Sequence, residues 1–167
     1  MVTVKRTDWK DRPKGAWALR LELSSEGRYG LRALVYLAQI GEMATADTIS
    51  AEAKIPRRLL ARVLAGLSRA GLVASQEGRG GGSRLARSPE EITLRDAVVA
   101  MEGPFEVTKC IMQDRACGEG APCAMHGAWE EGQEAILDYL EAQTLSEFVS
   151  RTASRAGPSG GQEEARA

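Results

Sequence analysis

The sequence predicts a mainly α-helical chain with one small β-hairpin: a winged helix-turn-helix followed by a long dimerisation helix. Three observations predict it. A short helical stretch, a tight turn and a longer helical stretch follow one another between Thr45 and Gly71. A glycine-rich run, Glu77-Gly-Arg-Gly-Gly-Gly82, separates two short segments of alternating apolar residues. An apolar stripe at helical spacing runs from about Ala124 to Ala142, and the small N-terminal half leaves little surface to cover it.

Residues 1–20, MVTVKRTDWKDRPKGAWALR, show no sustained period and are interrupted by Pro13 and Gly15, so they read as a mobile extension. Order is expected from about Leu21. Ser24 or Ser25 can cap a helix to Ile40, with Tyr29, Leu34, Leu37 and Ile40 recurring on it and Gly41 closing it. Thr45 can cap a short helix ending near Ala53, Lys54 and Ile55 make the turn, and Pro56 fits the first position of the next helix. That helix carries Leu60, Val63, Leu64 and Leu67 on one face and stops at Gly71. Strands are expected over 72–75 and 84–87, forming a wing with a glycine-rich tip. Thr93 can cap a helix to Glu102, which Gly103-Pro104 ends. Beyond the cysteine-bearing loop, Trp129, Ile136, Leu137 and Leu140 mark the long helix, and Thr144 with Glu147 forms a capping box for a last short one. From about Thr152 the chain is small, polar and Gly-rich, and no order is expected. The expected division is thus 1–20 extension, 21–103 winged helix-turn-helix domain, 104–125 ligand loop, 126–151 dimerisation helix with the last helix, and 152–167 tail.

A chain of 167 residues with 43% apolar content can build a core. No apolar run approaches the roughly 20 residues of a membrane span, and the charged first 20 residues contain no signal-type apolar stretch, so a cytoplasmic, membrane-free protein is expected. In that compartment its three cysteines are thiols or metal ligands rather than disulfides. The net charge of -1 conceals a split. Residues 1–87 hold 16 Lys/Arg against 8 Asp/Glu, a balance of +8, and residues 88–167 hold 6 against 15, a balance of -9. Between Lys54 and Arg87 stand eight basic residues and one acid, Glu77, which suggests a polyanionic partner for the first half.

Arg57, Arg58 and Arg62 lie on the outward face of the second helix of the pair, beside small Ala61 and Ala65. Arginines at the N-terminal end of a helix slim enough for the major groove reach both phosphates and guanine edges. A merely solvated face would mix in glutamates, and none occurs between Lys54 and Gln76. In the wing, Arg79 suits a narrow minor groove and the neighbouring glycines let the tip approach a phosphate backbone. The run GRGGGS lacks the lysine-serine ending of a nucleotide-binding P-loop and opens no helix.

All three cysteines, Cys110, Cys117 and Cys123, and the only histidine, His126, fall within CIMQDRACGEGAPCAMH. Buried structural cysteines normally sit in apolar elements, and these are surrounded by Gly118, Glu119, Gly120 and Pro122. A disulfide pair leaves the third cysteine and the histidine without a role. Three Cys and one His would also complete a zinc tetrahedron, but zinc ligands usually arrive as pairs two to four residues apart. Here six residues separate Cys110 from Cys117 and five separate Cys117 from Cys123, gaps that better suit a larger iron-sulfur body held by thiolates. Cys123 and His126 stand three apart at the mouth of a helix, where open N–H groups would stabilise an anionic cluster. Zinc remains the competing assignment.

From Leu21 to about Arg151 the chain resembles the Rrf2 family of bacterial winged helix-turn-helix regulators, most closely its iron-sulfur cluster regulators. The resemblance rests on LELSSEGRYGLRAL, IPRRLL, AGLV, GRGGGSRLAR, and Cys110, Cys117, Cys123, His126 and Trp129. It implies a 2Fe-2S cluster on the three cysteines and His126, favoured over the 4Fe-4S clusters of related nitric-oxide and iron sensors. In the nitric-oxide sensor an aspartate of the first helix is the fourth ligand; the matching residue here is Arg28, which cannot ligate iron, and His126 is favoured. Ser24, Arg28 and Tyr29 of the first helix, and Gly80 and Arg84 of the wing, join Arg57, Arg58, Arg62 and Arg79 as candidate contacts to double-stranded DNA. The expected protein is a homodimeric repressor on a roughly palindromic operator, with cluster state, redox or nitric oxide as its signal. A cluster-carrying partner protein and a zinc- or thiol-responsive regulator are the alternatives. No second set of catalytic residues points to an enzyme.

Overall fold

The computed structural model describes residues 23–78, 80–103, 112 and 123–155. Helix α1 (Ser25–Ile40) begins at Ser24, whose hydroxyl accepts a hydrogen bond from the Gly27 amide, and ends at Gly41 in the left-handed conformation. Buried Leu34 and Leu37 lie on the expected face, and buried Gly27 and Gly30 extend that face to the first turn. Helix α2 (Ala46–Glu52) is capped by Thr45, as its sequence suggests. The turn places Lys54 at φ 52° and is closed by Ser50, whose hydroxyl donates to the Ile55 carbonyl at 2.8 Å.

Helix α3 (Arg57–Arg69) starts one residue later than its proline suggested. Pro56 has helical φ but ψ 126°, so it occupies the cap position and not the first helical one. Leu60, Val63, Leu64 and Leu67 are buried as expected. The helix ends in a reciprocal pair of bonds, Gly71 N–H to the Ser68 carbonyl and Leu72 N–H to the Leu67 carbonyl, with Gly71 at φ +70° and both leucines buried. This Schellman closure explains why AGLV terminates the helix and starts the wing.

The wing pairs β1 (Val73–Gln76) antiparallel with β2 (Gly82–Leu85), Val73 opposite Leu85 and Gln76 opposite Gly82. The second strand therefore starts two residues before the expected 84–87, and the tip shortens to 77–81. The cause is a third backbone: Ala44 and Ser83 exchange N–H···O bonds of 3.0 and 2.8 Å on the outer edge of β2. A lone bridging residue leaves no alternating pattern to read. A Cβ on Gly82 would overlap the Ala44 carbonyl, so Gly82→Ala is expected to lower stability by about 1–3 kcal/mol, read as a reduced urea midpoint with unchanged slope.

Helix α4 (Leu94–Glu102) opens with a reciprocal capping box between Thr93 and Asp96 and ends at Gly103. Its Met101 side chain fills the space left by Gly30 of α1 and lies against Gly66 of α3, so three helices meet over two glycines. Helix α5 (His126–Glu141) starts two residues after the expected Ala124, and Met125 at its cap makes no side-chain cap bond. Helix α6 (Leu145–Arg155) has the expected Thr144–Glu147 capping box, each backbone bond 3.2 Å. It continues through 152–155, where no order was expected; the Thr152 and Ser154 hydroxyls bond back to the Val149 and Ser150 carbonyls. Fully buried Leu145 donates its N–H to the Ile92 carbonyl, placing α6 in the same core as α1 to α3. Among the described residues no helix is long and apolar enough to cross a membrane.

Candidate DNA interface and ligand segment

Burying one face of α3 leaves Arg57, Arg58, Ala61, Arg62, Ala65 and Arg69 exposed on the other. Two of these arginines are held by acids from other helices. Arg57 pairs with Asp47 of α2, and Arg62 Nε lies 3.0 Å from Glu26 Oε1 of α1. Three of the four side chains are exposed and Glu26 is half-buried, so each pair stabilises the fold by about 1 kcal/mol at most and a phosphate can replace its carboxylate. The lopsided charge of residues 54–87 could not reveal them, because both acids lie upstream.

The remaining candidates fall into two groups. Ser24 and Arg28 stand at the start of α1, beside Glu26 and hence beside Arg62. The Arg28 guanidinium donates to the Leu23 carbonyl at 2.8 Å and the Ser25 hydroxyl at 3.0 Å, which folds it over the helix end. Ser24 donates its backbone N–H to Glu102 Oε1 at 2.9 Å. Tyr29 is half-buried against the core with Arg32 over its ring at 6.0 Å. On the hairpin, Arg84 is exposed opposite Ala74, and Gly80 is exposed at φ +78°. Arg79 lies outside the described residues. Sequence reasoning missed Glu26, Asp47 and Glu102; the one available signal was Gly27 in the first turn of a helix, where a glycine is costly without a neighbour to accommodate.

Of the four candidate ligands, Cys110 and Cys117 lie outside the described residues. Cys123 and His126 are brought together: the Cys123 carbonyl accepts the His126 N–H at 3.0 Å, and both residues are half-buried. His126 Nε2 is 3.8 Å from Glu130 Oε2. Among the described residues, the first turn of α5 carries neither an acid nor a side-chain cap, and its helix end bears a partial positive charge. A thiolate, an imidazole and that helix end fit an anionic thiolate-bound group.

No residue of α5 is fully buried. Trp129, Leu137 and Leu140 are half-buried, whereas Ile136 and Tyr139 are 39% and 59% exposed. Among the described residues, the buried Trp129 Nε1 and Gln133 Oε1 have no hydrogen-bond partner. A helix with a second apolar side and unsatisfied polar atoms calls for further cover.

Comparison with known proteins agrees with this geometry. The family described as "Rrf2: Iron-dependent Transcriptional regulator" matches residues 23–151. The regulator IscR of Aliivibrio salmonicida is 33% identical over 132 residues, 77% of each chain. The solved structure of CymR, the global cysteine regulator of B. subtilis, aligns with TM-score 0.66 and 27% identity, covering 79% of this chain and 98% of that one. T. potens IscR shares the fold at TM-score 0.66 and 23% identity, covering 89% and 97%. With a mainly helical winged architecture and a match across most of its length, the chain belongs to the Rrf2 family of DNA-binding transcriptional regulators and is not an enzyme.

Proposed function

We propose that this regulator senses an iron-sulfur cluster and, as a homodimer, represses from a roughly palindromic operator with an affinity set by cluster state. The observation that carries this reading is Cys123 and His126 brought together at the N-terminal end of α5, in the segment that holds every cysteine of the chain. The family's iron-dependent description and the IscR relatives support it. Cys110, Cys117, Cys123 and His126 would hold the cluster, 2Fe-2S in preference to 4Fe-4S, and the bound group would supply a redox- and nitric-oxide-sensitive link between chain segments. His126 would be the more exchangeable ligand, because a neutral imidazole binds iron less strongly than an anionic thiolate. A ligand shifts a switch only by binding its two states unequally, and tying the segment before α5 to the head of that helix provides the difference. Arg57, Arg58 and Arg62 would enter the major groove, Ser24, Arg28 and Tyr29 would face the backbone, and Arg79, Gly80 and Arg84 would follow the wing into the adjacent groove.

The likeness to CymR, described as a global cysteine regulator, supports a second reading, a zinc- or thiol-redox-responsive regulator of the same fold without a cluster. Anaerobic purification separates the two. The first reading expects a coloured protein with matching iron and acid-labile sulfide, a Mössbauer quadrupole doublet altered by His126→Ala, and colour lost in the Cys110/Cys117/Cys123→Ser variant. A colourless protein with stoichiometric zinc or no metal rejects it.

A further inference from the structure

The first turn of α1 is capped by a residue from another helix. In an ordinary capping box the residue at the third helical position bends back and accepts the N–H of the cap residue. Here the cap is Ser24 and the third position is Gly27, which has no side chain to do so. Glu102, the last residue of α4, takes that role: its Oε1 accepts the Ser24 N–H at 2.9 Å, while the Ser24 hydroxyl accepts the Gly27 N–H at 3.0 Å. A Cβ at Gly27 would fall on the Glu102 carboxylate, so the glycine makes room for the acid. The next acid along, Glu26, holds Arg62 of α3, and Arg28 folds over the same helix end. One carboxylate at the end of α4 therefore orders the turn that carries Ser24, Arg28 and the partner of Arg62.

We propose that Glu102 is a positioning residue for DNA recognition, completing the cap of α1 from α4 and so holding Ser24, Arg28 and Arg62 in the arrangement that meets the phosphate backbone. The inference rests on the DNA contacts assigned above. A turn that frays in the unbound protein either is reordered on the duplex at a cost in affinity or leaves its phosphate contacts unmade, which lowers both affinity and salt slope. Glu102 is followed directly by Gly103, and the segment bearing Cys110 and Cys117 begins there, so the cap lies at the junction of the two halves of the chain.

The test uses the full chain and a mixed-sequence duplex of about 40 base pairs, long enough for two half-sites a helical turn apart. Glu102→Ala is expected to weaken binding by roughly fivefold or more, the effect of removing one cap from a turn that must be ordered. It should also lower the slope of log affinity against log salt by about one for each phosphate that a protomer no longer neutralises, a change that destabilisation alone does not produce. Glu102→Gln keeps an acceptor oxygen for the Ser24 N–H and should stay close to the parent in both readings. Gly27→Ala should behave like Glu102→Ala, although the replacement by itself favours a helix, because it displaces the carboxylate. Amide exchange at Ser24 should accelerate in Glu102→Ala and Gly27→Ala and not in Glu102→Gln. A parent chain with no salt-dependent affinity would remove the assigned DNA contacts. A parent that binds, alongside a Glu102→Ala variant of equal affinity, salt slope and Ser24 exchange, would overturn the inference itself.

Discussion

Replacing Arg57, Arg58 and Arg62 together by alanine is expected to weaken duplex binding by at least about 100-fold and to reduce its salt slope by up to about three per protomer. Each guanidinium on a phosphate or a guanine edge contributes about 1–3 kcal/mol, so removing three of them reaches that range even if their effects are not fully additive. On the proposed DNA-binding face the same change would leave Asp47 and Glu26 without their cations, which adds repulsion. Folding should be little affected, since all three side chains are exposed and the two ion pairs are worth at most about 1 kcal/mol each. Fluorescence anisotropy across a salt series, beside a thermal melt, checks both halves. Binding within threefold of the parent, with a normal melt, would show that α3 does not read DNA.

The second large effect is expected on α5. On the proposed homodimer with α5 at its contact, Ile136→Glu combined with Tyr139→Glu should raise the dissociation constant by at least about a thousandfold. Burying a large apolar side chain is worth about 1.5–3 kcal/mol, and an isologous interface counts every replacement twice. The variant would also carry two added carboxylates per protomer into the proposed contact. Ile136 and Tyr139 are exposed and, among the described residues, lie outside the core cluster, so the monomer should keep its helical circular dichroism. Sedimentation velocity at micromolar concentration gives the answer: a dimer undiminished by both charges would place the subunit contact elsewhere.

Much of the architecture was legible because its instructions are local. Ser24, Thr45, Thr93 and Thr144 cap the helices their positions indicate, and the leucine face of α3 is buried as its spacing requires. A hydroxyl reaches an amide three residues on, and a helical period is written in consecutive residues, so neither needs knowledge of the rest of the chain. The errors at β2 and α6 fell where a distant backbone intervened, whereas the one-residue shift of α3 came from the local ψ of Pro56. β2 begins at Gly82 because Ala44 pairs with Ser83, and 152–155 stay helical because Leu145 anchors α6 beside Ile92. No window of sequence contains both partners of either pairing.

The candidate site divides in the same way. By itself the sequence determined which residues have the chemistry: arginines on one helix face, glycines in a hairpin tip, and soft ligands gathered between Cys110 and His126. Only the tertiary structure decided how the described ones are held: Asp47 on Arg57, Glu26 on Arg62, Glu102 on the amide of Ser24, and Ile136 and Tyr139 exposed on α5. Side-chain chemistry is a property of a residue, whereas an ion pair or a cap completed across 78 positions exists only once packing has brought two helices to within hydrogen-bonding distance.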